Sequence, residues 1–174
     1  MRLLRYFTPD RMEKDIYCYT AEFFVENGIK YAVFDLDNTI APYSVTKPSQ
    51  KVKDYFKGLQ EAGITVSIVS NNGEERVTAF NEELGLFCVS NAKKPNPGGV
   101  LRCLAKGQKD SFLNNSCLVG DQLFTDCVAA RRAGIACFLV EPIQPRENLF
   151  FKLKRLLERP FIWRYKRITK RSAP

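Results

Sequence analysis

The chain has 174 residues, 45% of them hydrophobic and 26% charged, which is ordinary for a globular protein with one sizeable core. It contains no histidine, which excludes Ser-His and Cys-His catalysis as well as histidine general bases. Its six cysteines form no C-x-x-C pair, so we expect no zinc site, no disulfide framework and a cytoplasmic location. Catalysis would therefore need carboxylates, lysine, hydroxyls, thiols or a metal bound by oxygen.

Positive charge is concentrated at the C-terminal end. The net charge is +8; residues 152–174 contain nine Lys/Arg and one Glu, whereas the first 151 residues contain 18 of each sign. We therefore predict a neutral domain over residues 1–151 and a basic C-terminal helix or tail over residues 152–174. No apolar run approaches the ~20 residues that span a bilayer, and the N-terminal residues show no signal-peptide pattern.

The domain alternates short apolar runs with helical patterns. The first buried run, residues 31–34, leads directly into Asp35 and predicts a strand. Helices are predicted at residues 48–62, 74–84, 98–105 and 123–133, and further strands at residues 64–69, 86–89, 117–119 and 135–140. This alternation predicts βαβ units, and therefore an α/β fold with a central parallel sheet and helices on both faces.

Acidic residues follow two of these strands. Asp35 and Asp37 come directly after the first strand, and Asp121 and Asp126 follow the strand at residues 117–119. Because ligands of such sheets bind beyond the carboxyl ends of the strands, we expect these carboxylates to meet at one edge. Their mutual repulsion would be relieved by a divalent cation, and oxygen-only donors favour Mg²⁺.

The remaining strand ends carry groups that suit a phosphate. Ser70, followed by Asn71, Asn72 and Gly73, follows a strand and opens a helix, where a hydroxyl and backbone N–H groups can bind an anion. Lys93 and Lys94 follow the next strand, and we choose Lys94 as the phosphate ligand because it precedes a proline. A carboxylate nucleophile, a metal, a helix N-terminus and a lysine predict phosphoryl transfer.

Four motifs in order resemble those of the haloacid dehalogenase superfamily. They are residues 35–39 (Asp-Leu-Asp-Asn-Thr), 69–71 (Val-Ser-Asn), 94–95 (Lys-Pro) and 120–126 (Gly-Asp-Gln-Leu-Phe-Thr-Asp). The resemblance covers residues 28–140 and implies a Rossmann-like fold. In detail the motifs are similar to those of the YqeG family of subclass IIIA, whose members resemble phosphatidylglycerophosphate phosphatases.

This resemblance implies a role for each motif residue. Asp35 would attack phosphorus and form an aspartyl phosphate, and Asp37 would protonate the leaving oxygen and then activate water. Mg²⁺ would be held by the Asp35 and Asp121 carboxylates and the Asp37 carbonyl. The other expected assignments are phosphate binding by Ser70, Asn71 and Lys94 and supporting roles for Thr39 and Asp126. Asp126 would orient Lys94 or a metal-bound water, or serve only as a helix-dipole carboxylate.

The short spacing between motifs predicts a site without a lid domain. Only 30 residues separate Thr39 from Ser70, and 23 separate Ser70 from Lys94. Such a capless, open site suits a phosphate carried on a large molecule. The family resemblance implies phosphatidylglycerophosphate as the favoured substrate, with a soluble phosphate ester or phosphoprotein as alternatives. A different alternative is an RNA-, ribosome- or membrane-binding module whose activity is dispensable.

The tail leaves three interpretations open. Apolar residues recur at helical spacing beside basic ones, followed by an aromatic and basic segment at residues 160–167. Such a helix can rest peripherally on an anionic inner membrane surface, can bind RNA, or can pack on the body of the protein. The apolar stripe consists of Leu149, Phe150, Leu153, Leu156 and Leu157.

Overall fold

The computed structural model of the protein describes residues 3–107, 113–144 and 149–172. Its strands are β1 (Arg11–Glu13), β2 (Tyr31–Asp35), β3 (Thr65–Val69), β4 (Phe87–Val89), β5 (Ser116–Gly120) and β6 (Ala136–Val140). They form one sheet in the order β1-β6-β5-β2-β3-β4, and every neighbouring pair is parallel. The predicted parallel α/β sheet is therefore confirmed.

The helices connect these strands. Ser49 caps α2 by accepting the Val52 backbone N–H at 3.3 Å, and Gly134 ends α5 in the left-handed region with φ of 80°. The helices are α1 (Ala21–Glu26), α2 (Gln50–Glu61), α3 (Glu74–Asn81), α4 (Gly98–Gly107), α5 (Val128–Ala133) and α6 (Leu149–Ser172), with short 3₁₀ turns at Leu3–Phe7 and Ile16–Cys18 and a π-helical turn at Leu123–Cys127.

Helices cover both faces of the sheet, as the sequence predicted. Along β2, Ala32 and Phe34 point to one face, where α1, α2 and α3 pack, while Val33 points to the other, where α4 and α5 pack. Strands buried on both sides read as continuous apolar runs, which is why they were recognisable in the sequence. Phe161 and Ile162 of α6 lie against the second core.

The order of the strands places a switch point beside β2. The chain leaves β2 for β3 on one side, and β5 pairs with β2 on its other side. In open α/β sheets such a switch point opens a crevice at the carboxyl ends of the strands, where ligands bind. Asp35 is the last residue of β2 and therefore lies at this crevice.

Most predicted elements are present with shifted ends, but the predicted helix at residues 123–133 is interrupted. Residues 123–127 form the π-helical turn, because the N–H groups of Asp126 and Cys127 both donate to the Gln122 carbonyl, at 2.9 and 3.3 Å.

The sequence analysis missed β1 and α1. The edge strand β1 has only three residues, of which Met12 is flanked by two charged side chains, so it lacks a strand-like pattern.

The connections at the carboxyl edge are short. Residues 36–49, 70–73 and 90–97 join strands to helices there, and none of these described segments contains an inserted lid domain. Within the parts of the chain that the structure describes, no helix combines the length and apolarity needed to cross a membrane.

Helix α6 starts before the predicted tail boundary and contacts the domain. Phe161 packs against the rings of Phe7 and Phe124, with centroid distances of 5.0 and 6.1 Å. The Lys166 ammonium lies 3.4 Å from the Glu141 carboxylate. In the predicted apolar stripe, the side chains of Leu149, Phe150 and Leu153 lie outside the described residues, whereas Leu156 and Leu157 are exposed.

Candidate active site

Lys94 lies between two carboxylates at the crevice. Its Nζ donates to Asp35 Oδ1 at 2.5 Å and is 2.7 Å from Asp126 Oδ1, while the Val69 carbonyl lies 3.3 Å away. All three charged side chains are buried. The choice of Lys94 over Lys93 agrees with this geometry, because Lys93 is exposed.

Asp35, Asp121 and Asp126 form a buried acidic cluster. One carboxylate oxygen from each lies within 4.8 Å of the others. Three carboxylates against the single charge of Lys94 leave two negative charges in a site shielded from water. A divalent cation with a preference for oxygen ligands balances that charge, so these residues fit the predicted Mg²⁺.

Burial raises the pKa of Asp35 from its ordinary value of 3.8 to about 7, opposed by the positive charge of Lys94 and reinforced by Asp126 and Asp121. Burial alone would lower the pKa of Lys94, but the carboxylates of Asp126 and Asp35 outweigh it and raise that pKa. Lys94 therefore remains charged, whereas Asp35 without a cation beside it is only partly ionised near neutral pH.

The Asp37 carboxylate is directed to a different set of partners. Its Oδ2 accepts from Asn72 Nδ2 at 2.5 Å and from Ser70 Oγ at 3.2 Å, and its Oδ1 lies 3.3 Å from Arg76 Nη2. It is not part of the acidic cluster. The predicted metal contact of Asp37 through its carbonyl stays a prediction.

Asn71 connects the second and third motifs. Its side-chain amide donates to the Lys94 carbonyl at 3.0 Å and accepts the Lys94 backbone N–H at 2.7 Å. The Asn71 side chain therefore positions Lys94, and the predicted phosphate contact of Asn71 stays a prediction. The Ser70 hydroxyl accepts the Asn72 backbone N–H at 3.0 Å, so it shapes the turn as well.

The turn after β5 is built around Asp126. Asp126 is fully buried, and its Oδ2 accepts the Gln122 backbone N–H at 3.0 Å. Gly120 makes room for it, because a Cβ at that position would lie 2.5 Å from both Cβ and Cγ of Asp126. With both oxygens engaged, Asp126 suits the orientation of Lys94 better than direct ligation. Thr39 donates from Oγ1 to Asp35 Oδ2 at 3.2 Å, consistent with its predicted supporting position.

Three residues around the site were given no role from the sequence. Asn72 and Arg76 contact Asp37, and Glu158 of α6 is fully buried and accepts the Phe124 backbone N–H at 3.1 Å. No sequence pattern singled out Asn72 and Arg76, because Asn72 lies before the N-cap Gly73 of α3 and Arg76 is a charged residue in the first turn of that helix. For Glu158 the signal was the lone acidic residue in a basic segment.

Similarity to known proteins identifies the family of the chain. Residues 43–140 match the sequence profile of a family described as haloacid dehalogenase-like hydrolases. Over 166 residues the chain is 32% identical to the "Probable phosphatase YqeG" of Bacillus subtilis (strain 168), with 95% of each chain covered. The chain belongs to the haloacid dehalogenase-like hydrolase family. This confirms the predicted family, although the profile match begins after Asp35 and Asp37.

Two further proteins are less similar to this hydrolase. Over 159 residues it is 30% identical to the "Phosphatidylglycerophosphate phosphatase 1, chloroplastic/mitochondrial" of Arabidopsis thaliana, covering 82% of this chain but only 43% of that protein. A cobalt-bound deoxy-D-mannose-octulosonate 8-phosphate phosphatase from Haemophilus influenzae has a similar fold, with a TM-score of 0.53, 13% identity and coverage of 82% and 92%. The two relatives found by sequence are named as phosphatases, which places this hydrolase among the phosphatases of the family.

Proposed function

We propose that this protein is a Mg²⁺-dependent phosphomonoesterase that works through an aspartyl phosphate on Asp35. The observation that supports it most is the buried contact of Lys94 with Asp35 and Asp126 beside Asp121. A lysine fixed at a carboxylate nucleophile stabilises the carboxylate and attracts the transferring phosphoryl group.

The proposed reaction has two steps. In the first, an Asp35 oxygen forms a bond to phosphorus, the bond from phosphorus to the leaving oxygen breaks, and Asp37 gives that oxygen a proton. In the second, Asp37 takes a proton from a water that attacks the same phosphorus, and the bond to Asp35 breaks to release inorganic phosphate. Ser70 and Lys94 bind the phosphoryl oxygens in both steps.

Mg²⁺, when bound, would supply the positive charge that lets Asp35 and the phosphoryl group approach each other. The Asp35 and Asp121 carboxylates and the Asp37 carbonyl are its proposed ligands. Asp126 keeps Lys94 directed at Asp35, since Lys94 Nζ lies 2.7 Å from Asp126 Oδ1.

The favoured substrate is phosphatidylglycerophosphate, a phosphomonoester on a membrane lipid. The similarity to the plant phosphatidylglycerophosphate phosphatase, the absence of a lid in the described connections and the basic α6 support this choice. In this proposal the protein acts in the cytoplasm, and α6 rests peripherally on the inner membrane surface.

The decisive experiment is a panel of phosphate esters that includes phosphatidylglycerophosphate in micelles. We expect phosphate release that requires Mg²⁺ and that Asp35→Asn lowers by at least about 10³-fold, because the amide cannot serve as the nucleophile. Asp54→Asn, at an exposed position of α2, is the matched control and should retain wild-type rates. Activity retained by Asp35→Asn would refute the mechanism; rapid turnover of only a soluble ester would refute the lipid substrate.

A further inference from the structure

Arg76 is a mostly buried arginine whose role no family motif assigns. It is the third residue of α3, and its side chain is only 13% exposed. Its Nη2 lies 3.3 Å from Asp37 Oδ1 and 3.4 Å from the carbonyl oxygen of Pro42. Pro42 belongs to residues 40–44, which we call the flap, so one guanidinium contacts both the flap and the Asp37 carboxylate.

Asp37 is held at both of its oxygens. Asn72 and Ser70 donate to Oδ2, and the Arg76 guanidinium lies at Oδ1. Rotation of the carboxylate about its own axis would break contacts on both sides, so these three residues together specify one orientation. The Arg76 contact is an ion pair and not a hydrogen bond, because Asp37 Oδ1 accepts no hydrogen bond among the described residues; Coulomb attraction to the guanidinium therefore holds that oxygen.

Packing alone does not account for an arginine at this position. Nε and Nη1 of Arg76 are buried without an acceptor among the described residues, and leaving buried donors unpaired costs free energy. The guanidinium lies 5.3 Å from the centroid of the Phe80 ring, which fixes its place without satisfying those donors. Asp37 is the carboxylate with which it pairs.

We propose that Arg76 is a positioning residue that orients Asp37 for proton transfer to the leaving oxygen and ties the flap to α3. The inference rests on the proposed function, because it takes Asp37 as the group that protonates the leaving oxygen. Arg76 itself touches no reacting atom. It acts by keeping Asp37 in one orientation and by holding the flap against α3 through the Pro42 carbonyl.

The test compares two phosphate esters of similar shape. 4-Nitrophenyl phosphate releases a stable anion that needs little protonation, whereas phenyl phosphate releases a stronger base that depends on it. The ratio kcat/KM is measured for both, since it reports the steps through the first phosphoryl transfer. We expect Arg76→Gln to lower kcat/KM for phenyl phosphate about tenfold more than for 4-nitrophenyl phosphate, and Arg76→Lys to restore part of the difference.

Arg102→Gln, an exposed arginine of α4, is the matched control and should leave both values unchanged. Thermal unfolding of each variant separates positioning from folding. Equal losses for the two esters, or unchanged or increased rates for phenyl phosphate, would overturn the proposal. Failure of the proposed function would look different, because Asp35→Asn would then hydrolyse both esters at wild-type rates however Arg76→Gln behaves.

Discussion

At the scale of single residues, the site holds the Asp35 carboxyl group where its ionisation costs free energy. Asp35 is buried beside two other aspartates, and its pKa is raised to about 7. The unfolded chain has no such burial, so its aspartate ionises near the ordinary value. Between these two pKa values the folded protein binds a proton that the unfolded protein has released, and this difference links stability to pH.

We therefore predict that the stability of the metal-free protein falls as pH rises. The contribution of Asp35 is fully present below pH 3.8 and is lost as the pH passes 7, by at most about 4 kcal/mol. Urea unfolding in the presence of a chelator, at several pH values, measures it. In Asp35→Asn the slope should be shallower than in wild type, and a slope equal to or steeper than that of wild type would contradict the assignment.

At the scale of elements, the turn after β5 depends on a close approach of backbone and side chain. Gly120 ends the strand and Asp126 lies in the π-helical turn that follows. A side chain at position 120 would overlap Asp126, whose oxygens contact Lys94 and the Gln122 N–H. The π-helical turn and Gly120 together therefore allow the Asp126 carboxylate to contact Lys94 Nζ.

Gly120→Ala is predicted to displace Asp126 and with it Lys94. Overpacking of this kind costs about 1–3 kcal/mol, and the loss of phosphatase activity should exceed what lower stability explains. Gly58→Ala in α2 is a matched control outside the site, because a Cβ added there would have no neighbour within 4 Å. Chemical unfolding and initial rates, measured on both variants, test the prediction; equal behaviour of the two would contradict it.

The sequence was sufficient for the elements with clear periodicity and for the residues at strand ends. Asp35, Ser70, Lys94 and Asp121 could be brought together because parallel strands end at one edge of a sheet. The contacts of Arg76 with Asp37 and of Glu158 with Phe124 could not be predicted from the sequence. They depend on how α3 and α6 pack against the turns after β2 and β5. The helical spacing of apolar residues also does not reveal the π-helical turn at Leu123–Cys127, in which one turn contains an extra residue.

At the scale of the whole molecule, one side of α6 packs against the domain and another side is exposed to solvent. Phe161 contacts the domain, whereas Leu156 and Trp163 are exposed, Trp163 to 63%. Exposed Arg159, Arg164 and Arg167 accompany them, while Glu158 is buried. An outer face that carries apolar and cationic side chains is typical of helices that rest on anionic lipid.

Trp163 is the single tryptophan of the chain, so its fluorescence reports on this face. We predict a blue shift with vesicles that contain phosphatidylglycerol and none with phosphatidylcholine vesicles. Replacing Arg159, Arg164 and Arg167 together by Gln should weaken binding about 100-fold, at ~1 kcal/mol per charge. Binding of RNA without binding of vesicles would refute the proposed membrane contact.

The position of β2 between β3 and β5 has a consequence for the order in which the site can form. Asp35 pairs in the sheet with Val69, but Asp121 reaches it only after β5 has paired with β2, a closure over more than 80 residues of chain. Such distant pairings form slowly compared with local ones. A growing chain that ends before residue 121 therefore carries the proposed nucleophile Asp35 and Lys94 without Asp121, the second proposed metal ligand. Cation binding becomes a reporter of completed folding.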